Sequence, residues 1–392
     1  MASEPLHLQD SARPAAAAPI RAPAIHAVAR DWLELAGAEA VTRWDALAQW
    51  ASTPNPFFES WYLLPALEAF DPAGRVTLLC VEADGELAGL LPLSLENRYY
   101  HHPLPQWSSW MHGNCFLGAP LVARGLEKEF WRAVLGWADA HAGKALFLHL
   151  AQMPLDGPLD EALAAVLAEQ KRPAALVHRE ERALLRSDLT PEAYLQAALS
   201  PKKRKELRRQ YNRLAEEGTL RFERRRDAEA ITAWTEAFLN LEASGWKGKT
   251  GHAMANDRET TALFIAALEG AAERGRLERL MLTLDGAPIA MLANFLTAPA
   301  AFSFKTAFDE RYARFSPGVL LQRENLALLD RAGFDYCDSC ASADHPMIDH
   351  VWRERRAIGR YSIGIGGPLR RAAFRALSWA EARTQSPAPS NG

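Results

Sequence analysis

Apolar positions repeat at two spacings along this chain, and the switches between them lay out its elements. Trp44, Leu47, Ala48 and Trp50 share one helical face that Pro54-Asn55-Pro56 ends, and Phe57 to Leu67 forms a second, aromatic-rich helical segment. Two apolar strands then flank Asp84-Gly85, a residue pair that favours a two-residue hairpin turn. Beyond a looser His- and Trp-rich segment, Asn114–Val122 reads as a strand, Phe130–His141 as a helix, Lys144–Leu150 as a buried strand and Leu159–Gln170 as a helix. Further on, helices at Ala228–Ala243 and Glu259–Arg274 precede a second hairpin, Leu277–Leu284 and Ala287–Thr297 around Asp285-Gly286. ELAGLLPLSL in the first hairpin sits beside APIAMLANFL in the second, and the order of elements agrees in both halves. The chain therefore reads as an internal duplication.

After the second hairpin, Phe302 to Gly333 reads as strand, loop and helix. Ser316 stands at the N-cap, Pro317 at the first helical position, and Gly333 is the stop. The N–H groups of residues 316–319 would then face out of a helix start, with Arg311 and Arg314 beside them, as an anion or phosphate site. Neither GxxxxGK[ST] nor GxGxxG is present in this stretch. The plainer reading is a capped helix start under two solvated arginines.

Composition narrows the class. A length of 392 residues with 48% hydrophobic residues suits two packed domains. The net charge of −3 argues against a general nucleic-acid binder, but it is unevenly spread. Residues 201–226 hold eleven Lys or Arg against four Glu, a local +7 that leaves −10 for the remainder. Leu207, Tyr211 and Leu214 form the apolar stripe of that helix; its cations either solvate one face or guide an anionic partner, and tRNA through Lys202–Arg213 is the nucleic acid to consider. The four cysteines are too scattered for a disulfide framework, and no apolar run is long enough to span a bilayer, so a cytoplasmic protein without signal peptide is expected. Residues 1–30 and 381–392 read as Ala- and Pro-rich or polar tails, around domains at 31–188 and 189–380.

Two further constellations carry candidate chemistry. Trp246 and Lys247 lie in a Ser-Gly-Trp-Lys-Gly loop, where an aromatic ring is hard to place in a core, and are candidate substrate contacts. Cys337, Cys340, His345 and His350 have zinc-knuckle spacing, but the two cysteines would project from opposite faces of a strand, so no metal site is expected.

The second half resembles the GNAT acyltransferase superfamily, in particular its CelD-like branch associated with cellulose and exopolysaccharide synthesis. The likeness rests on Lys203-Arg204 and Arg208-Arg209, Ser244 to Gly248, Asp285 to Ala290, and Lys305 through Ser316-Pro317-Gly318, and covers residues 186–365. It implies an α/β (α+β) fold of two tandem GNAT-like domains, each a mixed, mostly antiparallel sheet flanked by helices, as in Fem-type transferases that use aminoacyl-tRNA. It also implies acetyl-CoA or a longer acyl-CoA as donor, held at Arg311, Arg314, Phe315, Ser316, Pro317, Gly318 and Val319. The pattern [QR]-x-x-G-x-[GA] is not met there, since Pro317 stands where it has glycine. For direct transfer to an amine or hydroxyl of a small-molecule or glycan acceptor, the resemblance points to Asp309, Glu310 or His345 as base, Tyr312 as donor to sulfur, and Lys305 beside the carbonyl or an acidic acceptor. It also raises association with a polysaccharide synthase, and a first domain that shapes the acceptor groove without binding coenzyme.

Overall fold

The computed structural model describes residues 24–343, 345 and 347–384, without the side chains of residues 246, 247 and 380–384. The first half runs β1 (Ile25–Asp31), α1 (Ala38–Trp50), α2 (Ser60–Phe70), β2 (Thr77–Ala83), β3 (Glu86–Glu96), β4 (Gln106–Ser109), β5 (Leu121–Val122), α3 (Glu127–Ala140), β6 (Phe147–Pro154), α4 (Pro158–Glu169) and β7 (Ala174–Leu185). The second runs α5 (Pro191–Ala198), α6 (Pro201–Glu216), β8 (Leu220–Arg225), α7 (Ile231–Ser244), α8 (Trp246–Lys249), α9 (Arg258–Glu273), β9 (Leu277–Leu284), β10 (Ala287–Thr297), β11 (Ala300–Phe308), α10 (Pro317–Asn325), β12 (Tyr336–Asp338), β13 (Glu354–Gly364) and α11 (Pro368–Thr384).

The duplication is visible in strand pairing. β1-β2-β3-β4 are joined antiparallel and β4-β6 parallel. β8-β9-β10-β11 and β11-β12 repeat that series. Both Asp-Gly pairs turn with positive φ at each residue, 51° and 88° at Asp84-Gly85 and 48° and 80° at Asp285-Gly286, which matches the right-handed twist of the strands they join. α2 and α9, equivalent in the two halves, pack against each other over a shared core in which Phe57, Trp61, Phe295 and Phe304 meet edge-on or stacked.

The halves are not separate sheets. The order is β1-β2-β3-β4-β6-β13-β7-β12-β11-β10-β9-β8, so β13 from the chain's end lies against β6, and β7 lies against β12. Each half has given its last strand to the other. The expected division at residue 188 follows β7 in sequence, yet both neighbours of β7 come from beyond it.

Three local expectations change. Residues 25–30, expected in the tail, form β1 with Asp31, because Ile25 and Ala27 pack against the core edge, and α11 reaches Thr384 beyond the expected boundary at 380. Most of Asn114–Val122 is not a strand: the buried Asn55 side-chain amide donates to the Leu117 and Ala119 carbonyls at 3.0 and 2.7 Å and takes the place of a neighbouring strand. The charged segment Trp352–Arg356, which reads from its sequence as a turn before a final strand, already enters β13 at Glu354, and Arg356 is buried there against Asp338.

Candidate functional site

The sheet opens beside β11. That strand pairs with β10 along its length with a register shift that leaves Phe304 extra between the Ser303–Asn294 and Lys305–Ala293 pairs, and such a bulge re-aims the residues after it. β12 accompanies β11 only over Ala300–Phe302. From Phe304 onward the edge towards β12 is open, and a cavity of about 110 Å³ lies there. Thr306, Ala307 and Phe308 of β11, Glu310, Glu242 and Gly245 at the end of α7, and His345 and Met347 beyond β12 line it.

This gathers some of the expected residues and leaves others out. Glu310 and His345 line the cavity, with Glu310 3.0 Å from the Lys249 ammonium. Asp309 does not: it is buried, accepts the Arg311 N–H at 2.9 Å to start a 3-10 helix (Glu310–Phe315), and pairs with the Arg311 guanidinium at 2.6 Å. Those hydrogen bonds hold its carboxyl below the usual range, so it is a poor proton acceptor. Tyr312 packs on the other side, against a core containing Leu214, Leu280 and Leu320. Lys305 turns towards the first half, its ammonium 5.0 Å from the Phe116 ring centre and 5.6 Å from that of Phe304. Residues 246 and 247 form the first half of α8, and their side chains, the expected substrate contacts, lie outside the described ones.

Glu242 was not legible as a site residue. It is 6% exposed and its Oε2 accepts the Met254 N–H at 2.9 Å. The signal was there: Glu242 falls four residues after Phe238 and one after Leu241, on the buried stripe of α7. An acid on an apolar stripe is worth marking.

Residues 201–345 match the family model described as an acetyltransferase (GNAT) domain. This stretch within the second half is thus similar to a GNAT domain, which supports an acyltransferase. FemX has the same fold over 84% of this chain and 97% of its own, at 12% identity and a TM-score of 0.53. A conserved protein of unknown function from Bacteroides thetaiotaomicron matches over 83% and 97%, at 12% identity and a TM-score of 0.53. The C-terminal domain of a putative lysylphosphatidylglycerol synthetase from Agrobacterium fabrum matches over 88% and 96%, at 14% identity and a TM-score of 0.50. At these identities the likeness is one of fold. No curated protein matches the sequence.

The expected cradle for the diphosphate of coenzyme A is not built in this stretch as the sequence suggested. Ser316 is left-handed (φ 54°) and its side chain caps nothing. Its N–H bonds to the Ala313 carbonyl at 2.9 Å, the Val319 N–H bonds to the Ser316 carbonyl at 2.9 Å, and Pro317 has none. Of the four expected donors only the Gly318 amide is left, and a Cβ at Gly318 would meet Met347 Sδ at 2.8 Å. Both arginines, though exposed, already hold a carboxylate: Arg311 pairs with Asp309, and Arg314 with Glu217 at 2.8 Å while lying 4.6 Å from the Phe315 ring centre. These residues do not fit a full diphosphate.

A second cavity, about 320 Å³, lies at the far end of the same 3-10 helix. Arg209, Gln210, Arg213 and three glutamates of α6 and the residues after it line it with Arg314 and Phe315. Cys337 and Cys340 are buried thiols that burial pushes well above the usual range, where thiolate chemistry is suppressed. Among the described residues no helix is long and apolar enough to cross a membrane.

Proposed function

We propose that the cavity beside β11 transfers an acyl group from a thioester to an amine or hydroxyl acceptor. One observation carries this reading: three proton-accepting side chains, Glu242, Glu310 and His345, converge on the stretch of β11 whose edge has no strand partner among the described residues. Backbone N–H groups on that edge suit the thioester carbonyl oxygen, whose negative charge grows as the nucleophile adds. One of the three side chains takes the proton of the attacking N–H or O–H. The new C–N or C–O bond forms, the C–S bond breaks, and the proton ends on the departing sulfur.

GNAT domains generally use acyl-CoA, so acetyl-CoA and longer acyl-CoAs are the first donors to test, against amines, sugars and envelope or polysaccharide precursors as acceptors. Release of free thiol in the presence of acceptor, lowered in Glu242→Gln and in His345→Asn, supports the reading; wild-type protein that releases no thiol from any thioester overturns it. A second reading, aminoacyl transfer from tRNA, is favoured by the exposed cations of α6 and predicts tRNA binding that falls steeply with salt.

A further inference from the structure

We infer that the acyl donor of this site is carried on the phosphopantetheine arm of a small acidic carrier protein, which docks on α6. The inference rests on the acyl-transfer reading above and names its donor.

Three observations converge on it. The first is the loop itself, where the Ser316 and Val319 amides bond within their own loop, Pro317 has no N–H and Gly318 is buried, so no row of amides faces the diphosphate of free coenzyme A. The second is the charge balance of the larger cavity. Its lining sets Arg209, Arg213 and Arg314 against Glu206, Glu216 and Glu217, and Arg209 and Arg314 are already paired, with Glu206 at 2.6 Å and Glu217 at 2.8 Å. Among the described residues Arg213 is the lining cation that forms no ion pair, which matches a single phosphodiester. Gln210 adds an enclosed Oε1 with no hydrogen-bond partner, able to accept from an amide N–H of such an arm.

The third is geometry. Glu310, at one end of the 3-10 helix, lines the reaction cavity, and Arg314 and Phe315, at the other, line the α6 cavity. At about 2 Å per residue their lining residues stand roughly 8–10 Å apart along the helix, a span for a thin, linear arm. The reaction cavity is narrow, and its carboxylates Glu242 and Glu310 repel a phosphate-rich RNA end while leaving a neutral amide-containing arm unaffected.

Beyond the cavity, α6 presents Lys202, Lys203, Lys205 and Arg208 to solvent, and among the described residues none of them forms an ion pair. Exposed, unpaired charge of one sign steers an oppositely charged partner. The helix is fixed to the donor loop: Gln210 donates to the Arg314 carbonyl at 3.4 Å, and Arg314 pairs with Glu217. A carrier on this face delivers its arm to the 3-10 helix. Transfer leaves that arm as a free thiol, with the acceptor's proton on sulfur.

The test uses the full chain with a bacterial acyl carrier protein in apo, holo and acylated forms, by fluorescence anisotropy at low and high salt. The holo form is expected to bind about tenfold more tightly than the apo form, and Lys202→Glu/Lys203→Glu/Lys205→Glu/Arg208→Glu to weaken both by about tenfold or more. Thiol release from the acylated carrier is expected to exceed that from acyl-CoA of the same chain. Equal binding of apo and holo forms, binding unaffected by the reversal, or binding of tRNA in place of the carrier overturns the inference. Faster turnover of acyl-CoA overturns it and leaves acyl transfer standing, whereas the absence of turnover from every thioester removes the reading beneath it. Circular dichroism of the reversal variant, matched to wild type, separates lost docking from lost folding.

Discussion

One carboxylate oxygen of Asp338 accepts from two arginines, Arg182 at 2.7 Å and Arg356 at 3.0 Å, and all three side chains are buried. Asp338 belongs to β12, Arg182 to β7 and Arg356 to β13, so the contact ties both exchanged strands to the second half. Burial alone would raise the Asp338 pKa, but the two guanidiniums outweigh it and bring it below the ordinary value. Asp338→Asn leaves two buried cations short of their anion and is expected to cost about 3–5 kcal/mol. Urea unfolding at neutral pH checks this; a loss under about 1 kcal/mol would mean that water reaches the arginines. The carboxylate's own contribution is present above about pH 4 and disappears as pH falls through its lowered folded value.

Two histidines give the protein a separate pH dependence. His112 is pushed down to about 4 by burial and by the nearby Lys305, and His149 to about 4 by burial and by Arg360. Both are neutral in the fold and become charged more easily when unfolded, so acid favours unfolding. Their contribution is complete above about pH 6.5 and is lost on the way down to about pH 4, roughly 3 kcal/mol for each. A His112→Asn/His149→Asn variant should therefore show a flatter stability curve between pH 7 and 4.5 than wild type. Parallel curves would show that solvent penetrates both sites.

Within the reaction cavity, position decides which acids matter. Glu242→Gln and His345→Asn are each expected to lower the transfer rate, with the proton-accepting member down by about 100-fold or more. Asp309→Asn should stay within a few-fold, because its carboxylate is committed to Arg311. Steady-state rates with one thioester donor decide this, and a collapse in Asp309→Asn alone would move the base outside the cavity.

Glycines at two places should respond differently to a methyl group. A Cβ at Gly118 would run into the carbonyl oxygen of Ala151, a backbone atom held in β6, so Gly118→Ala should cost about 3 kcal/mol or more. At Gly318 the nearest atom is Met347 Sδ at 2.8 Å, the end of a side chain that can swing aside, and Gly318→Ala should cost about 1 kcal/mol or less. Thermal midpoints of the two variants give the comparison; similar losses would mean that Met347 is held as firmly as backbone.

Local chemistry was legible where it decides structure by itself. The two Asp-Gly turns, the helix face of α9 and the strand at β11 all follow from short-range pattern. β7 escaped because the residue types of its first half, AALVHREE, do not alternate between apolar and polar, and its partners lie more than a hundred residues away in sequence. β4 has only four residues and mixes Gln, Trp and Ser. Of the residues named from sequence, Glu310 and His345 line the cavity beside β11 and Asp309 and Tyr312 do not, because side-chain direction after a bulged strand cannot be counted from residue number. The amide row failed on Ser316: a left-handed residue there turns the first amides back on their own loop.

The strand exchange has a consequence for how this chain is made. A ribosome delivers β6 long before β13, and more than two hundred residues separate Phe147 from Gly364, its partner in the register. Until β12 emerges β7 lacks both neighbours, and until β13 follows β6 and β7 each keep an open edge. The nascent first half is thus an unfinished template that only the arrival of β13 can close, and folding of the two halves is coupled by the order of synthesis.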